Sequence, residues 1–220
     1  MKILGNNASP NGERSNTLRL VKEVLEGTRA SGAEVELVDL CKLKIEFCIG
    51  CRKCFDTGKC FFKDDFQELY GKMLAADGMV WGTPNHSFGV KAQMKALIER
   101  MADVIHCQFF DGKYACAVAT GGREYKVITD YLRQVVLDYG AYFTGSAGAV
   151  VTQGPQAIAE GEKQAYALGK ALAEDILTRR QYFDQRQWID RNRKWFQQKV
   201  LECKEQWRHQ YEYWERMKWR

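Results

Sequence analysis

Short apolar segments alternate with amphipathic ones over the first 180 residues. Residues 34–40 alternate apolar and polar side chains with period two, which is typical of a strand. From Leu18 to Leu25, apolar residues recur at the three- and four-residue spacing of a helix. The predicted strands cover residues 2–5, 34–40, 78–81, 114–119 and 141–151, and the predicted helices cover residues 18–25, 64–73, 90–105, 131–139 and 157–177.

This alternation predicts the α/β fold class, with a five-stranded parallel sheet and helices on both faces. In such sheets the ligand site lies at the carboxyl ends of the strands. We therefore expect the functional residues in the loops that follow the strands. Asp64 and Asp65 are interpreted as the acidic start of a helix.

The pattern changes after residue 180. Residues 181–220 hold five of the six Trp residues, and ten Lys/Arg against six Asp/Glu. Helical spacing defines one apolar stripe, made of Val200, Cys203, Trp207, Tyr211 and Trp214. We predict a core domain over 1–180 and a Trp-rich helical tail over 181–220 that packs on its own core or on a neighbouring subunit. The acids within the tail argue against nucleic acid as a partner.

Composition excludes several classes of protein. The chain has 220 residues, is 45% hydrophobic and carries a formal charge of +5, which is ordinary for a globular protein with one core. No apolar run reaches the ~18–20 residues of a membrane helix, and the first residues are too polar for a signal peptide. We therefore expect a cytoplasmic protein with no membrane partner, in a compartment that keeps thiols reduced.

Four of the eight cysteines lie close together in an irregular insert over residues 41–63. They are Cys48, Cys51, Cys54 and Cys60, with two gaps of two residues and one of five. Such spacing suits an iron–sulfur cluster, whereas structural zinc usually takes two separated pairs. Zinc, disulfides and free thiols remain open as alternatives, although a reducing compartment disfavours disulfides.

The other cysteines are interpreted as small buried hydrophobes. They are Cys41, Cys107, Cys116 and Cys203.

A polar loop follows the first predicted strand. Residues 9–17, Ser-Pro-Asn-Gly-Glu-Arg-Ser-Asn-Thr, lead into a helix whose N-terminus could hold a phosphate. The loop has neither GxGxxG nor GxxxxGK[ST], the fingerprints of dinucleotide and nucleoside triphosphate sites. Its hydroxyl and amide donors, with one cation, suit a phosphate monoester such as that of FMN. An ordinary capped turn explains the loop equally well.

Several short motifs occur in a fixed order. They are Ser9-Pro10, Ser15-Asn16-Thr17, the four cysteines, Lys63-Asp64-Asp65, Ala76-Asp77-Gly78, Gly82-Thr83-Pro84 and Ala92-Gln93-Met94-Lys95-Ala96. In this order they resemble the NADPH-dependent FMN reductase family, and within it the iron–sulfur flavoproteins, over about residues 1–175. The resemblance implies a flavodoxin-like fold, bound FMN, a homodimer or homotetramer, and a [4Fe–4S] cluster on the four clustered cysteines.

The resemblance also implies FMN-binding residues in three loops. The phosphate would be held by Ser9, Arg14, Ser15, Asn16 and Thr17. The isoalloxazine ring would be lined by Thr83, Pro84, Asn85, His86, Ser87, Phe88 and Gly89, and approached by Thr120, Gly121, Gly122 and Arg123. His86 could donate a hydrogen bond to the ring or serve as a proton source, or it could be an ordinary polar loop residue.

The resulting functional prediction is an FMN-dependent, NAD(P)H-linked oxidoreductase that passes electrons through FMN and the cluster. The acceptor would be a redox partner protein or a small molecule. We predict no catalytic side chain, because the flavin carries the chemistry. The family's glycine-rich continuation is absent after Arg123, which motivates a second hypothesis, a flavin electron carrier that does not use NAD(P)H. A third is a metal-binding interaction protein on a flavodoxin-like fold.

Overall fold

The computed structural model describes residues 1–219. The strands are β1 (Lys2–Asn7), β2 (Glu34–Asp39), β3 (Gly78–Pro84), β4 (Tyr114–Gly121) and β5 (Tyr142–Val150). The helices are α1 (Asn16–Arg29), α2 (Lys53–Thr57), α3 (Phe66–Ala75), α4 (Ala92–Arg100), α5 (Ala102–Cys107), α6 (Lys126–Asp138), α7 (Pro155–Thr178), α8 (Phe183–Glu202) and α9 (Arg208–Arg216). Short 3-10 turns lie at Gly12–Arg14, Leu40–Lys42 and Val151–Gln153. Within residues 1–219, we find no helix with the length and apolar character needed to cross a bilayer.

The five strands form one parallel sheet in the order β2-β1-β3-β4-β5. This is the flavodoxin-like order, so the predicted fold class is confirmed. Every residue of β4 is buried, and alternate strand residues point to opposite faces, so helices cover both sides of the sheet. The loops after β1, β3 and β4 therefore meet at one edge of the sheet.

Glycines allow α1 and α7 to pack in direct backbone contact. A Cβ on Gly169 would overlap the carbonyl oxygen of Val24, and a Cβ on Gly27 would overlap that of Tyr166. Both helices also contact the sheet. The close approach fixes the start of α1 relative to the strand ends.

The tail packs on the core and covers the edge of the sheet. The side-chain amide of Gln185 in α8 accepts a hydrogen bond from the Phe143 N–H at 2.8 Å and donates one to the Phe143 carbonyl at 2.9 Å. Ile189 joins the same hydrophobic core as the strands. A side chain therefore pairs the edge strand β5, which would otherwise expose its backbone groups.

The prediction of a continuous helix was wrong in two places. The helix expected over 90–105 is broken at Met101 into α4 and α5. The tail stripe from Val200 to Trp214 is broken over 203–207, between α8 and α9. Neither break contains Gly or Pro. The helix on each side of each break keeps an apolar face, so the hydrophobic periodicity of the sequence did not reveal the breaks.

Candidate functional site

The loop after β1 presents buried hydroxyl groups at the start of α1. Ser15 caps the helix, with its Oγ accepting a hydrogen bond from the Leu18 N–H at 3.0 Å. Ser9, Ser15 and Thr17 are each almost completely buried. A helix N-terminus carries a partial positive charge, so this arrangement favours an anion.

A hydrogen bond connects this loop to the end of β4. The Oγ1 atoms of Thr17 and Thr120 are 2.6 Å apart and both residues are buried. The two loops enclose a cleft of about 200 Å³. The cleft is lined by Ser9, Asn11, Arg14, Ser15, Asn16, Thr17, Pro84, Asn85, Thr120, Gly121, Gly122 and Val151.

The cleft brings together ten of the residues that the sequence predicted for FMN, from three separate loops. Asn11 and Val151 also line it; Asn11 lies within the polar loop, but an apolar residue such as Val151 gave no signal in the sequence. Among the described residues, the buried Nδ2 atom of Asn7 at the end of β1 has no hydrogen-bond partner. Buried hydroxyls at a helix N-terminus fit a phosphate monoester such as that of FMN.

The loop after β3 is a tight turn. His86 and Gly89 exchange backbone hydrogen bonds, each of 3.0 Å, and Ser87 and Phe88 both have positive φ. The Asn85 carboxamide oxygen accepts a hydrogen bond from the Phe88 N–H at 2.9 Å. This turn lies outside the cleft lining, and Phe88 projects into solvent.

Two other predicted ring residues also lie away from the cleft lining. The buried Thr83 Oγ1 accepts a hydrogen bond from the Lys91 N–H at 3.0 Å, and Arg123 is exposed. The Asn85 side chain instead ties the second loop to the third, by donating to the Glu124 carbonyl oxygen at 2.6 Å. A Cβ on Gly121 would overlap the same carbonyl oxygen. The two loops are therefore held together where they border the cleft.

The cysteine segment is anchored by a buried arginine that sequence reasoning missed. The Arg100 guanidinium donates to both carboxylate oxygens of Asp64, at 2.8 and 3.0 Å, and its side chain has no exposed surface. It also donates to the Glu46 carbonyl oxygen at 2.8 Å and to the Cys60 Sγ at 3.1 Å. One residue of α4 thus fixes both ends of the segment that carries the four cysteines.

Asp64 has a larger role than the helix start that the sequence indicated. Burial by itself would raise the pKa of its carboxyl group. Hydrogen bonds from Arg100 and from the Glu46 N–H outweigh that effect and hold the pKa below its ordinary value. Asp64 therefore remains charged and pairs with the buried guanidinium.

The four clustered cysteines lie in one neighbourhood but differ in exposure. Cys48 and Cys51 are exposed, whereas Cys54 and Cys60 are partly buried. Burial, together with the charges of Asp103 and of the other three thiols, raises the pKa of Cys54 to about 12. Cys54 and Cys60 line a cavity of about 630 Å³, with Arg100, Lys59 and Lys63 also in its wall.

The donor chemistry of this segment fits an iron–sulfur cluster, because four thiols are accompanied by three cations that would offset its negative charge. In residues 1–219, however, no three His, Cys, Asp or Glu side chains are grouped to hold a metal ion. The four thiols would have to come closer together to hold a cluster. The segment before α2 is irregular, and Gly50 has a φ of 65°, so the backbone there permits such a rearrangement.

The remaining cysteines follow the prediction only in part. Cys107 and Cys116 are fully buried, and burial raises the pKa of each thiol. Cys41, in the 3-10 turn after β2, and Cys203, at the end of α8, are only partly buried.

Comparison with known proteins identifies the family of the chain. A sequence model of the family described as NADPH-dependent FMN reductase matches residues 1–156. An iron–sulfur flavoprotein of Methanocaldococcus jannaschii is 41% identical over 100 residues, covering 46% of this chain and 51% of that protein. An iron–sulfur flavoprotein of Archaeoglobus fulgidus is 33% identical over 192 residues, covering 80% of this chain and 94% of that protein.

A solved structure shows the same fold. The FMN-dependent NADH-azoreductase of Bacillus anthracis in complex with FMN has a TM-score of 0.64, at 15% identity over 79% of this chain and 100% of that one. The family match covers well over half of the chain and includes all three loops that form the cleft, as well as the cysteine motif. The protein therefore belongs to the NADPH-dependent FMN reductase family of oxidoreductases, and the iron–sulfur flavoproteins are its relatives.

Proposed function

We propose that the protein binds FMN in the cleft after β1, β3 and β4 and transfers electrons from NAD(P)H, through FMN and a [4Fe–4S] cluster, to an acceptor. The observation that carries this proposal is the convergence of three loops, with buried hydroxyls, at the N-terminus of α1. Family membership supports FMN as the cofactor. The names of the relatives support the cluster.

The residues of the cleft would bind and orient the flavin. Ser9, Ser15 and Thr17 would donate hydrogen bonds to the phosphate, with Arg14 supplying the one cation in the cleft lining. The backbone of Gly121 and Gly122 would lie against the rest of the cofactor without side chains in the way. Ser15 also caps α1, so the phosphate would lie on the helix axis.

Cys48, Cys51, Cys54 and Cys60 would hold the cluster, and Arg100 would keep Cys60 in place through the hydrogen bond to its Sγ. Bound FMN would supply two-electron chemistry with NAD(P)H, and a bound cluster would supply one-electron chemistry. The protein would position both groups. None of its side chains is proposed as an acid or a base.

Anaerobic purification followed by absorbance spectroscopy and assays of FMN, iron and acid-labile sulfide tests this proposal. We expect about one FMN and one cluster per chain, and loss of iron with retention of FMN in Cys54→Ser. Thr17→Val should weaken FMN binding on the order of tenfold, since one buried hydrogen bond is lost, whereas the exposed Thr178→Val should not. Flavin without iron would reject the cluster, and protein without flavin would reject the whole proposal.

One observation favours a second candidate, a flavin electron carrier that does not use NAD(P)H directly. The family's glycine-rich continuation is absent after Arg123, in the third loop, which Asn85 ties to the second through its bond to Glu124. Stopped-flow mixing with NADPH and NADH separates the two candidates. Rapid bleaching of the flavin absorbance supports the oxidoreductase, and slow bleaching with both nucleotides supports the carrier.

We also propose a homodimer or homotetramer in the cytoplasm, with a redox protein or a small molecule as acceptor. Large apolar side chains are exposed in the cysteine segment and in the loop after β3, where a second subunit would cover them. They are Phe47, Ile49, Phe61 and Phe88, with 60–69% of their surface exposed. Light scattering at micromolar concentration should show an oligomer, and a monomer would contradict this.

A further inference from the structure

The tail helix α9 packs against α2, the short helix that carries Cys54. The Phe55 ring, next in sequence to Cys54, is buried against two other rings. Its centroid lies 4.5 Å from that of His106 in α5 and 5.0 Å from that of Trp207 at the start of α9. The His106 and Trp207 rings are stacked at 4.8 Å. Phe55 is thus enclosed between the core and the tail.

The end of α2 lies directly beside α9. Gly58, which follows α2, has a φ of 70°, and a Cβ there would come within 2.6–2.7 Å of the His209 ring. Asp56 of α2 is 3.9 Å from the Arg208 side chain. The residues at the start of α9 therefore contact α2 not only at Phe55 but also at Asp56 and at Gly58.

α9 is itself fixed to α5 of the core. The fully buried Gln210 places its Oε1 3.0 Å from the His106 Nδ1. The Trp214 indole donates to the His106 carbonyl oxygen at 3.2 Å, and Trp214 is 2% exposed. His106 thus holds the tail through both its ring and its backbone, and the tail holds α2.

We propose that α9 is a positioning element of the cysteine site, with Trp207 as the residue that presses α2 and Cys54 against the core. A five-residue helix is not stable in water without packing partners, and α2 obtains its packing from α9 and α5. The proposal rests on the proposed function, because it assigns the tail a role in metal binding by the cysteines.

The test measures the alkylation rate of Cys54 by iodoacetamide in the full-length protein as purified. Trypsin releases residues 54–59 and 114–123 as peptides that contain Cys54 and Cys116 alone, respectively. In Trp207→Ala we expect Cys54 to react on the order of tenfold faster, since local opening of α2 exposes it. Cys116, buried in β4, should react at the wild-type rate.

The matched control is Trp195→Ala, because Trp195 lies in α8 of the same tail but is 54% exposed. This variant should leave both rates unchanged. A wild-type Cys54 rate in Trp207→Ala would overturn the proposal. A parallel rise of the Cys54 and Cys116 rates would also overturn it, because it would mean a general loss of stability.

A second variant removes the same contact from the other side. Phe55→Ala should accelerate Cys54 alkylation as Trp207→Ala does, and the double variant should react no faster than either single one, since both remove one contact. If the increases in the Cys54 alkylation rate multiply in the double variant, the two rings act independently, which would contradict the proposal.

Metal content gives an independent readout. Trp207→Ala should hold less iron per FMN than the wild type and the same FMN per chain, because no described residue of the tail lines the cleft. Iron retained in full by Trp207→Ala would contradict the positioning role. If the wild-type protein holds no iron, the cluster in the proposed function fails, and the alkylation rates still decide whether α9 holds α2.

Discussion

Single buried polar residues decide the shape of the cysteine segment. Arg100 bonds to Glu46 before the cysteines and to Cys60 and Asp64 at their end. It also stacks over the rings of Phe62 and Phe66. A buried guanidinium is tolerated only when its donors are paired, so the backbone around it has little freedom.

Replacing Arg100 by Met should destabilise the protein by about 3–5 kcal/mol, because the buried Asp64 carboxylate loses its partner. Urea unfolding measures the change. The double variant Asp64→Asn/Arg100→Met should be less destabilised than the sum of the single variants. Arg29→Met, which removes an exposed pair with Glu26, should change stability by less than about 1 kcal/mol. Equal effects of the two Arg variants would contradict a special role for Arg100.

The buried Asp103 predicts a pH dependence of stability. Burial raises the pKa of its carboxyl group to about 6 from the ordinary 3.8, although Tyr70 donates a hydrogen bond to it. The folded protein then keeps a proton that the unfolded chain has lost, so stability falls as the pH rises from about 4 through 6. Relative to Asp103→Asn, the free energy of unfolding of the wild type should fall by at most about 3 kcal/mol over this pH range. If urea unfolding gives the same difference in stability between the wild type and Asp103→Asn at every pH from 4 to 7, the predicted pH dependence is refuted.

At the scale of elements, close packing depends on features that periodicity does not encode. The helices α1 and α7 touch through glycines, and α8 binds the edge strand β5 through one glutamine. The amphipathic patterns predicted that these helices exist. Which residues of these helices contact which partners depends on how the elements pack in the folded protein.

Gly169→Ala should lower the free energy of unfolding by about 1–3 kcal/mol, because the added Cβ overlaps backbone that cannot move independently. Gly71→Ala in α3 is the matched control. Nothing lies within 4 Å of its Cβ position, so the change should stabilise by about 0.5–1 kcal/mol. Thermal or urea unfolding should therefore show stability changes of opposite sign for the two variants. A stabilised Gly169→Ala protein would contradict the helix contact.

Gln185→Ala should destabilise by about 1–3 kcal/mol, since it leaves the buried N–H and C=O of Phe143 without partners. Gln187, exposed on the same helix, provides the comparison, and Gln187→Ala should be close to neutral. Hydrogen exchange should also show faster exchange of the Phe143 amide in Gln185→Ala. Unchanged protection of that amide would rule out the pairing.

At the scale of the whole molecule, the sheet order brings distant loops to one cleft. Thr17 and Thr120 are 103 positions apart and share a hydrogen bond. The cleft and the cysteine cavity have different linings, and the tail contacts α2, which supplies Cys54 to the cavity wall. Cofactor binding and metal binding should therefore respond separately to mutation.

FMN should stabilise the flavin-free protein much more than riboflavin, because only FMN carries the phosphate that suits the cleft. At a concentration one hundred times the dissociation constant, a ligand stabilises the folded state by about 2.7 kcal/mol. Thermal unfolding with equal concentrations of the two compounds measures the difference. Equal shifts of the melting temperature would place the binding energy outside the phosphate cleft.

The sequence alone determined the fold class, the strand-to-helix alternation and the loops that form the cleft, because local periodicity and polar loop motifs are short-range properties. Only the tertiary structure revealed Arg100, the breaks at Met101 and over residues 203–207, and the turn that keeps His86 outside the cleft lining. It also paired Trp207 with Phe55, across 152 positions (207 − 55). Such contacts join residues far apart in the chain, and their stabilisation exists only once the elements have packed.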